Sequence, residues 1–197
     1  MNKKLDKIRI PRKERSVNKH LFTLLSDYNK LVNRKERKFD VLLAIGVSFV
    51  VLLITVIFIH SNRDVLALFK VLNDSTIGVM AILAGFNISS LALIGAANLT
   101  FLKKINKTDL LKQILIIFAF SVILNLFLIM LGIVVSIVSS QFLQIQISLI
   151  VLWHWCVYVL LLSVMFFWVG LIIYSLLIAI RNAGLIYKFI LALAEAE

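Results

Sequence analysis

The chain has 197 residues, 61% of them hydrophobic, and its mean hydropathy is +1.02. No soluble domain of this size has an interior large enough for so much apolar surface, so the composition excludes a soluble protein and predicts an integral membrane protein. In a membrane protein, the formal net charge of +11 is evidence of topology first and of nucleic-acid binding only second. The only cysteine, Cys156, excludes an intramolecular disulfide and a cysteine-based zinc site.

Residues 1–40 form a basic arm that contains thirteen of the 21 Lys and Arg residues. From about Ser16, apolar residues recur at helical spacing while the opposite face is rich in Lys and Asn, which predicts an amphipathic cytoplasmic helix. We expect this helix to lie on the anionic lipids of the inner leaflet, the alternative being that it docks an acidic cytosolic protein. The cations predicted to make either contact are Arg12, Lys13, Arg15, Lys19, Arg34, Lys35, Arg37 and Lys38.

Four apolar stretches follow, and they predict an all-α four-transmembrane-helix bundle over residues 41–180. The predicted spans are 41–59, 76–101, 113–138 and 148–180, and a short amphipathic C-terminal helix is predicted over 181–197. With both chain ends in the cytoplasm, nineteen of the 21 Lys and Arg residues lie on the cytoplasmic side. This positive-inside distribution predicts a multi-pass protein of a bacterial inner membrane.

The second span carries a continuous stripe of small residues within the uncharged stretch from Ser75 to Phe101. Small residues let helix backbones approach closely in lipid, where apolar side chains alone do not drive association. The stripe therefore predicts a packing surface for another helix, either in the same chain or in a second copy that makes a homo-oligomer. Its members are Gly78, Ala81, Gly85, Ser89, Ala92 and Ala96.

Two asparagines lie near the middle of the second and third spans by residue count, namely Asn87 and Asn125. An amide that faces lipid is costly, so we expect these side chains to form midplane polar contacts, hydrogen-bonded to one another between antiparallel helices. The alternative is that both line a water-filled path through an oligomer.

The residues that catalysis requires are missing from the predicted spans, which contain no Asp, Glu, Lys or Arg. His154 lies between two tryptophans, which favours an aromatic belt at the membrane interface over a catalytic or metal-binding role. We therefore expect no enzyme activity, cofactor or metal. Direct nucleic-acid binding is not expected either, because the basic arm lacks interleaved aromatic residues for base stacking.

The overall layout and stretches such as AGFNISSLALIGAAN resemble the membrane subunit of the Kiwa antiphage defence system. That resemblance implies a membrane oligomer that holds a cytosolic subunit at the inner membrane. The sequence thus predicts a non-enzymatic scaffold or sensor subunit that self-associates and anchors a cytosolic effector. The alternative is an oligomeric pore-forming or membrane-depolarising effector, similar to a holin or a toxin.

Overall fold

The structure is a computed structural model that describes residues 17–96, 108–144 and 151–194. Within these ranges the chain is helical except at two short joints, residues 32–33 and 59–61, which confirms the all-α prediction. The helices are α1 (Val17–Leu31), α2 (Arg34–Phe58), α3 (Asn62–Ala96), α4 (Thr108–Gln144) and α5 (Val151–Ala194). Four of them, α2 to α5, are long and apolar enough to cross a membrane, so the chain is a multi-pass membrane protein.

Two helices extend well beyond the stretches that the sequence predicts. The second span is predicted to begin near residue 76, whereas α3 begins at Asn62 and brings Val65 and Phe69 into the main hydrophobic core. The C-terminal helix is predicted to be separate, whereas α5 continues without a break to Ala194. In both places apolar residues recur at helical spacing between the charged ones. A longer helix therefore packs these apolar side chains against its neighbours.

Helices α3 and α4 form the most extensive pair, and they are antiparallel. Their close approach depends on Gly132 of α4, where a Cβ atom would lie only 2.8 Å from Cγ1 of Ile77. The core between α3, α4 and α5 is formed by Val65, Phe69, Met80, Leu128, Met165 and Trp168. Helix α5 thus packs along the hairpin that α3 and α4 make.

Helix α2 lies mainly against α5 and buries one narrow face there, formed by Asp40, Ala44, Ser48 and Thr55. Small side chains on this face allow a close approach, since a Cβ atom on Gly170 of α5 would lie 3.3 Å from Oγ of Ser48. Most of the bulky apolar residues of α2 are exposed, which suits a helix whose other faces contact lipid.

The contacts of α2 along α5 define the two ends of the bundle. At one end, which we call the α1 end, Asp40 pairs with Arg181 of α5. At the other, the His154 end, Tyr158 donates a hydrogen bond of 2.7 Å to the carbonyl of Ile59, and Asn62 bonds to His154. The uncharged residues of α2 between these points, 41–58, span about 27 Å at 1.5 Å per residue, close to the thickness of a bilayer core.

Candidate functional site

Asn87 joins three helices at the α1 end. Its Nδ2 donates to Oγ of Ser121 on α4 at 2.9 Å, and its Oδ1 accepts from Nδ2 of Asn182 on α5 at 2.8 Å. All three side chains are fully buried. Because Asn182 follows Arg181, this network lies at the level of the Asp40–Arg181 pair rather than halfway along α2.

Asn125 is also fully buried, but its partner is Ser175 of α5, whose hydroxyl donates to Oδ1 at 2.5 Å. The expected hydrogen bond between Asn87 and Asn125 does not form. The antiparallel register of α3 and α4 sets Asn87 opposite Ser121, one helical turn before Asn125. Each asparagine therefore bonds to a serine of a neighbouring helix, although Nδ2 of Asn125 is buried without a hydrogen-bond partner.

A fourth buried asparagine, Asn73, lies outside the spans that the sequence predicts. Its Nδ2 donates to the carbonyl of Gly132 at 2.8 Å, at the close contact between α3 and α4. The sequence analysis did not identify this contact. A small residue, Gly132, is its one signal in the sequence, and only the α3–α4 register sets Gly132 opposite Asn73.

The Asp40–Arg181 ion pair fixes the start of α2 to α5, and the sequence analysis did not identify it. The two side chains are 8% and 19% exposed, so the pair is largely shielded from solvent. Nη1 of Arg181 is buried without a hydrogen-bond partner. Pairing explains how both charges are tolerated where the apolar part of α2 begins.

Helix α1 packs across the α1 end of α4 through Tyr28, whose ring stacks on Phe120 with centroids 3.8 Å apart. Burial raises the pKa of the Tyr28 hydroxyl above its usual range, and the neighbouring Tyr174 hydroxyl raises it further. The hydroxyl forms no well-aligned hydrogen bond and stays neutral at physiological pH. Toward the N-terminus of α1 the apolar face is uncovered, because Leu21, Phe22 and Leu25 are exposed.

Most of the described cations of the predicted docking surface are exposed. Lys19 of α1 and Arg34, Lys35 and Lys38 of α2 are exposed, whereas Arg37 is half-buried and donates to Oδ1 of Asn29 at 2.8 Å. The remaining three predicted cations, Arg12, Lys13 and Arg15, lie outside the described residues. Four of the eight predicted cations therefore face outward at the α1 end.

The small-residue stripe is uncovered along α3, and we call this surface the α3 face. Gly78, Ala81, Gly85, Ser89 and Ala92 are all exposed, and the side chain of Ala96 lies outside the described residues. A Cβ atom on Gly78 or Gly85 would meet nothing within 4 Å. Among the described residues, no helix of the same chain packs on the stripe, and contact with a second copy stays a prediction.

An ion pair continues the α3 face toward the His154 end. Nζ of Lys70 lies 3.0 Å from Oδ2 of Asp74, and Ser136 of α4 donates to Oδ1 of Asp74 at 2.7 Å. The two charged side chains are 32% and 41% exposed. Both residues precede the predicted second span, which begins near residue 76, whereas the long helix α3 includes them.

The depth of this ion pair follows from the packing of the neighbouring residues. Phe69 contacts Trp168 of α5 with ring centroids 6.4 Å apart, and Trp168 precedes the close contact of Gly170 with Ser48 of α2. Asp74 also lies twelve residues from the start of α3 at Asn62, or about 18 Å along the helix. The pair is thus level with the middle of the apolar part of α2.

His154 is exposed at the end of α5, where Nδ1 lies 3.2 Å from Nδ2 of Asn62. In the part of the chain that the structure describes, no group of three or more His, Cys, Asp or Glu side chains is placed to hold a metal ion. Cys156 is also exposed and has no disulfide partner. The prediction that His154 belongs to an interface belt stays a prediction.

Comparisons of the chain with family models, with curated proteins and with solved structures found no match. Function is therefore inferred from the uncovered surfaces and the chemistry of their residues.

The Asp40–Arg181 pair gives a direct test of how α2 is held. We expect Asp40→Asn or Arg181→Gln alone to lower the free energy of unfolding by about 3 kcal/mol, because each leaves a shielded charge without its partner. The double variant should lose less than the sum of the two single losses. Unfolding in mild detergent, titrated with a denaturing detergent, measures all three. Additive losses would show that the two charges do not interact.

Proposed function

We propose that the chain is the self-associating subunit of a membrane scaffold, and that its basic end anchors a cytosolic protein. The observation that carries this proposal is the α3 face, where small residues and a mid-depth ion pair are both uncovered in the single chain. The resemblance to the Kiwa membrane subunit makes antiphage defence the context we propose for it.

Two features of the α3 face favour a second copy as its occupant. Uncovered small residues offer close backbone approach, which is the main source of helix association in lipid. The Lys70–Asp74 pair is costly against hydrocarbon, and a symmetric contact between copies brings the lysine of one within reach of the aspartate of the other. A second copy that covers this face would therefore shield the ion pair from hydrocarbon and also add close helix packing.

The proposed orientation has the α1 end in the cytoplasm. It follows from the charge distribution, since nineteen of the 21 Lys and Arg residues then lie on that side. The exposed cations Lys19, Arg34, Lys35 and Lys38 would then face the cytosol, where an acidic surface is the complementary partner. The membrane proposed for the chain is a bacterial inner membrane.

Self-association is tested by filling the stripe without disturbing the fold of the single chain. Gly85→Leu adds a bulky side chain where a Cβ meets nothing, so we expect a stable monomer in place of an oligomer. Gly46→Leu is the matched control, because Gly46 of α2 is equally open and lies on another helix. Native mass spectrometry in mild detergent measures the mass of each. A monomeric wild type, or an oligomer that survives Gly85→Leu, would overturn the proposal.

Partner anchoring is tested by co-expression with the neighbouring genes and purification through the membrane subunit. We expect a cytosolic protein to co-purify in fixed stoichiometry, and the triple variant Lys19→Gln, Lys35→Gln, Lys38→Gln to lose it while the oligomer persists. Arg63→Gln, an exposed cation at the His154 end, serves as the control and should retain the partner. Retention by the triple variant would exclude the basic surface as the anchor.

The mid-depth ion pair specifically favours one second candidate, an oligomeric pore. If the α3 faces surround a water-filled path, Asp74 lines it and attracts cations. Asp74→Asn should then reduce cation flux across liposomes several-fold, whereas Asp64→Asn, in the exposed first turn of α3, should leave it unchanged. Liposomes that contain the wild-type oligomer but show no flux above protein-free liposomes would exclude the pore.

A further inference from the structure

A cleft of about 400 Å³ opens at the α1 end, at the joint between α1 and α2. Its volume is in the range of small-ligand sites. The joint supplies Asn33, the first turn of α2 supplies Glu36, α4 supplies Gln113, and α5 supplies Arg181 and Lys188. Apolar residues complete the wall, namely Leu31, Val32, Ile117 and Leu185. The lining is thus half polar and half apolar.

The depth of the cleft corresponds to the headgroup region of a bilayer. Arg181 lies in its wall and also pairs with Asp40, immediately before the uncharged stretch of α2. Ile117 lies on the membrane side of Gln113 along α4, which places apolar lining next to polar lining at this boundary. A phospholipid presents the same change from phosphate and glycerol to acyl chain over a few ångströms.

The charges favour a singly charged anion. Lys188 is exposed in the cleft, whereas Nη1 of Arg181 is buried without a hydrogen-bond partner and its Nη2 donates to Asp40. Glu36 is the acidic residue that lines the cleft, and the ion pair with Asp40 neutralises part of the Arg181 charge. Lys188 is therefore the main source of attraction for an anion. The small net positive charge of the cleft suits a singly charged phosphodiester better than a doubly charged phosphomonoester.

We propose that this cleft binds the phosphate of an anionic phospholipid, with Lys188 as the donor, the positive charge of Arg181 nearby and the apolar wall against the start of an acyl chain. The proposal depends on the orientation given under the proposed function only for the leaflet concerned, which is then the inner one. It requires neither self-association nor a cytosolic partner.

Two test variants, each with a control, distinguish lipid binding in the cleft from nonspecific attraction of anionic lipid to the basic α1 end. Lys188→Gln removes the main cation, and Lys30→Gln removes an exposed cation of α1 that does not line the cleft. Gly184→Leu fills the cleft, since a Cβ on Gly184 meets nothing within 4 Å, and Gly46→Leu adds the same side chain at an open position elsewhere. Each test variant thus has a matched control.

The experiment is native mass spectrometry of the delipidated protein after addition of phosphatidylglycerol or phosphatidylcholine. We expect one phosphatidylglycerol per chain to survive collisional activation that strips phosphatidylcholine. Lys188→Gln and Gly184→Leu should each reduce its retention about tenfold, because a charged hydrogen bond or the volume of the site is lost. Lys30→Gln and Gly46→Leu should retain it as the wild type does.

Three outcomes would overturn the proposal: equal retention of both lipids, equal loss in Lys30→Gln and Lys188→Gln, or full retention in Gly184→Leu. Complete displacement by glycerol phosphate would show that the ligand is a soluble phosphate instead. The same measurement on the Gly85→Leu variant separates this site from self-association, because a monomer that still retains the lipid supports the cleft whatever the oligomeric state of the wild type.

Discussion

The need to satisfy polar side chains away from water determines how these helices are arranged. Asn87 has a donor and an acceptor that lipid cannot supply, and it finds both partners only where α3, α4 and α5 meet. Apolar side chains give little preference for one helix neighbour over another in a membrane, so hydrogen bonds and small residues select the register. The Asn125–Ser175 and Asn73–Gly132 contacts extend the same register along the bundle.

This arrangement covers the polar residues that face inward and leaves α3 with an uncovered outer side. The exposed stripe from Gly78 to Ala92 and the Lys70–Asp74 pair occupy that side at different depths. A scaffold and a pore make different use of the same face, since one needs close packing between copies and the other needs water beside Asp74. The ion pair is therefore the feature on which the two proposals differ most.

The α1 end combines three elements that depend on one another. The Asp40–Arg181 pair holds α2, stacking of Tyr28 on Phe120 holds α1, and the cleft lies at the joint between these helices. A ligand in the cleft would contact residues from the α1–α2 joint, α4 and α5 at once. If a lipid binds there as proposed, it would link the position of α1 to that of the basic surface.

The sequence alone determined the helical class and the four apolar helices, because length and hydropathy are local properties of the chain. It also identified Asn87 and Asn125 as polar residues within apolar spans, but it paired them with each other, since residue counts do not give register. Only the tertiary structure decided that Asn87 meets Ser121 and Asn182, and that Arg181 meets Asp40 141 positions away. Likewise, the spacing of the small residues predicted a packing stripe on α3. Whether another helix of the chain covers that stripe depends on how the long helices are rotated against one another, which their contacts set.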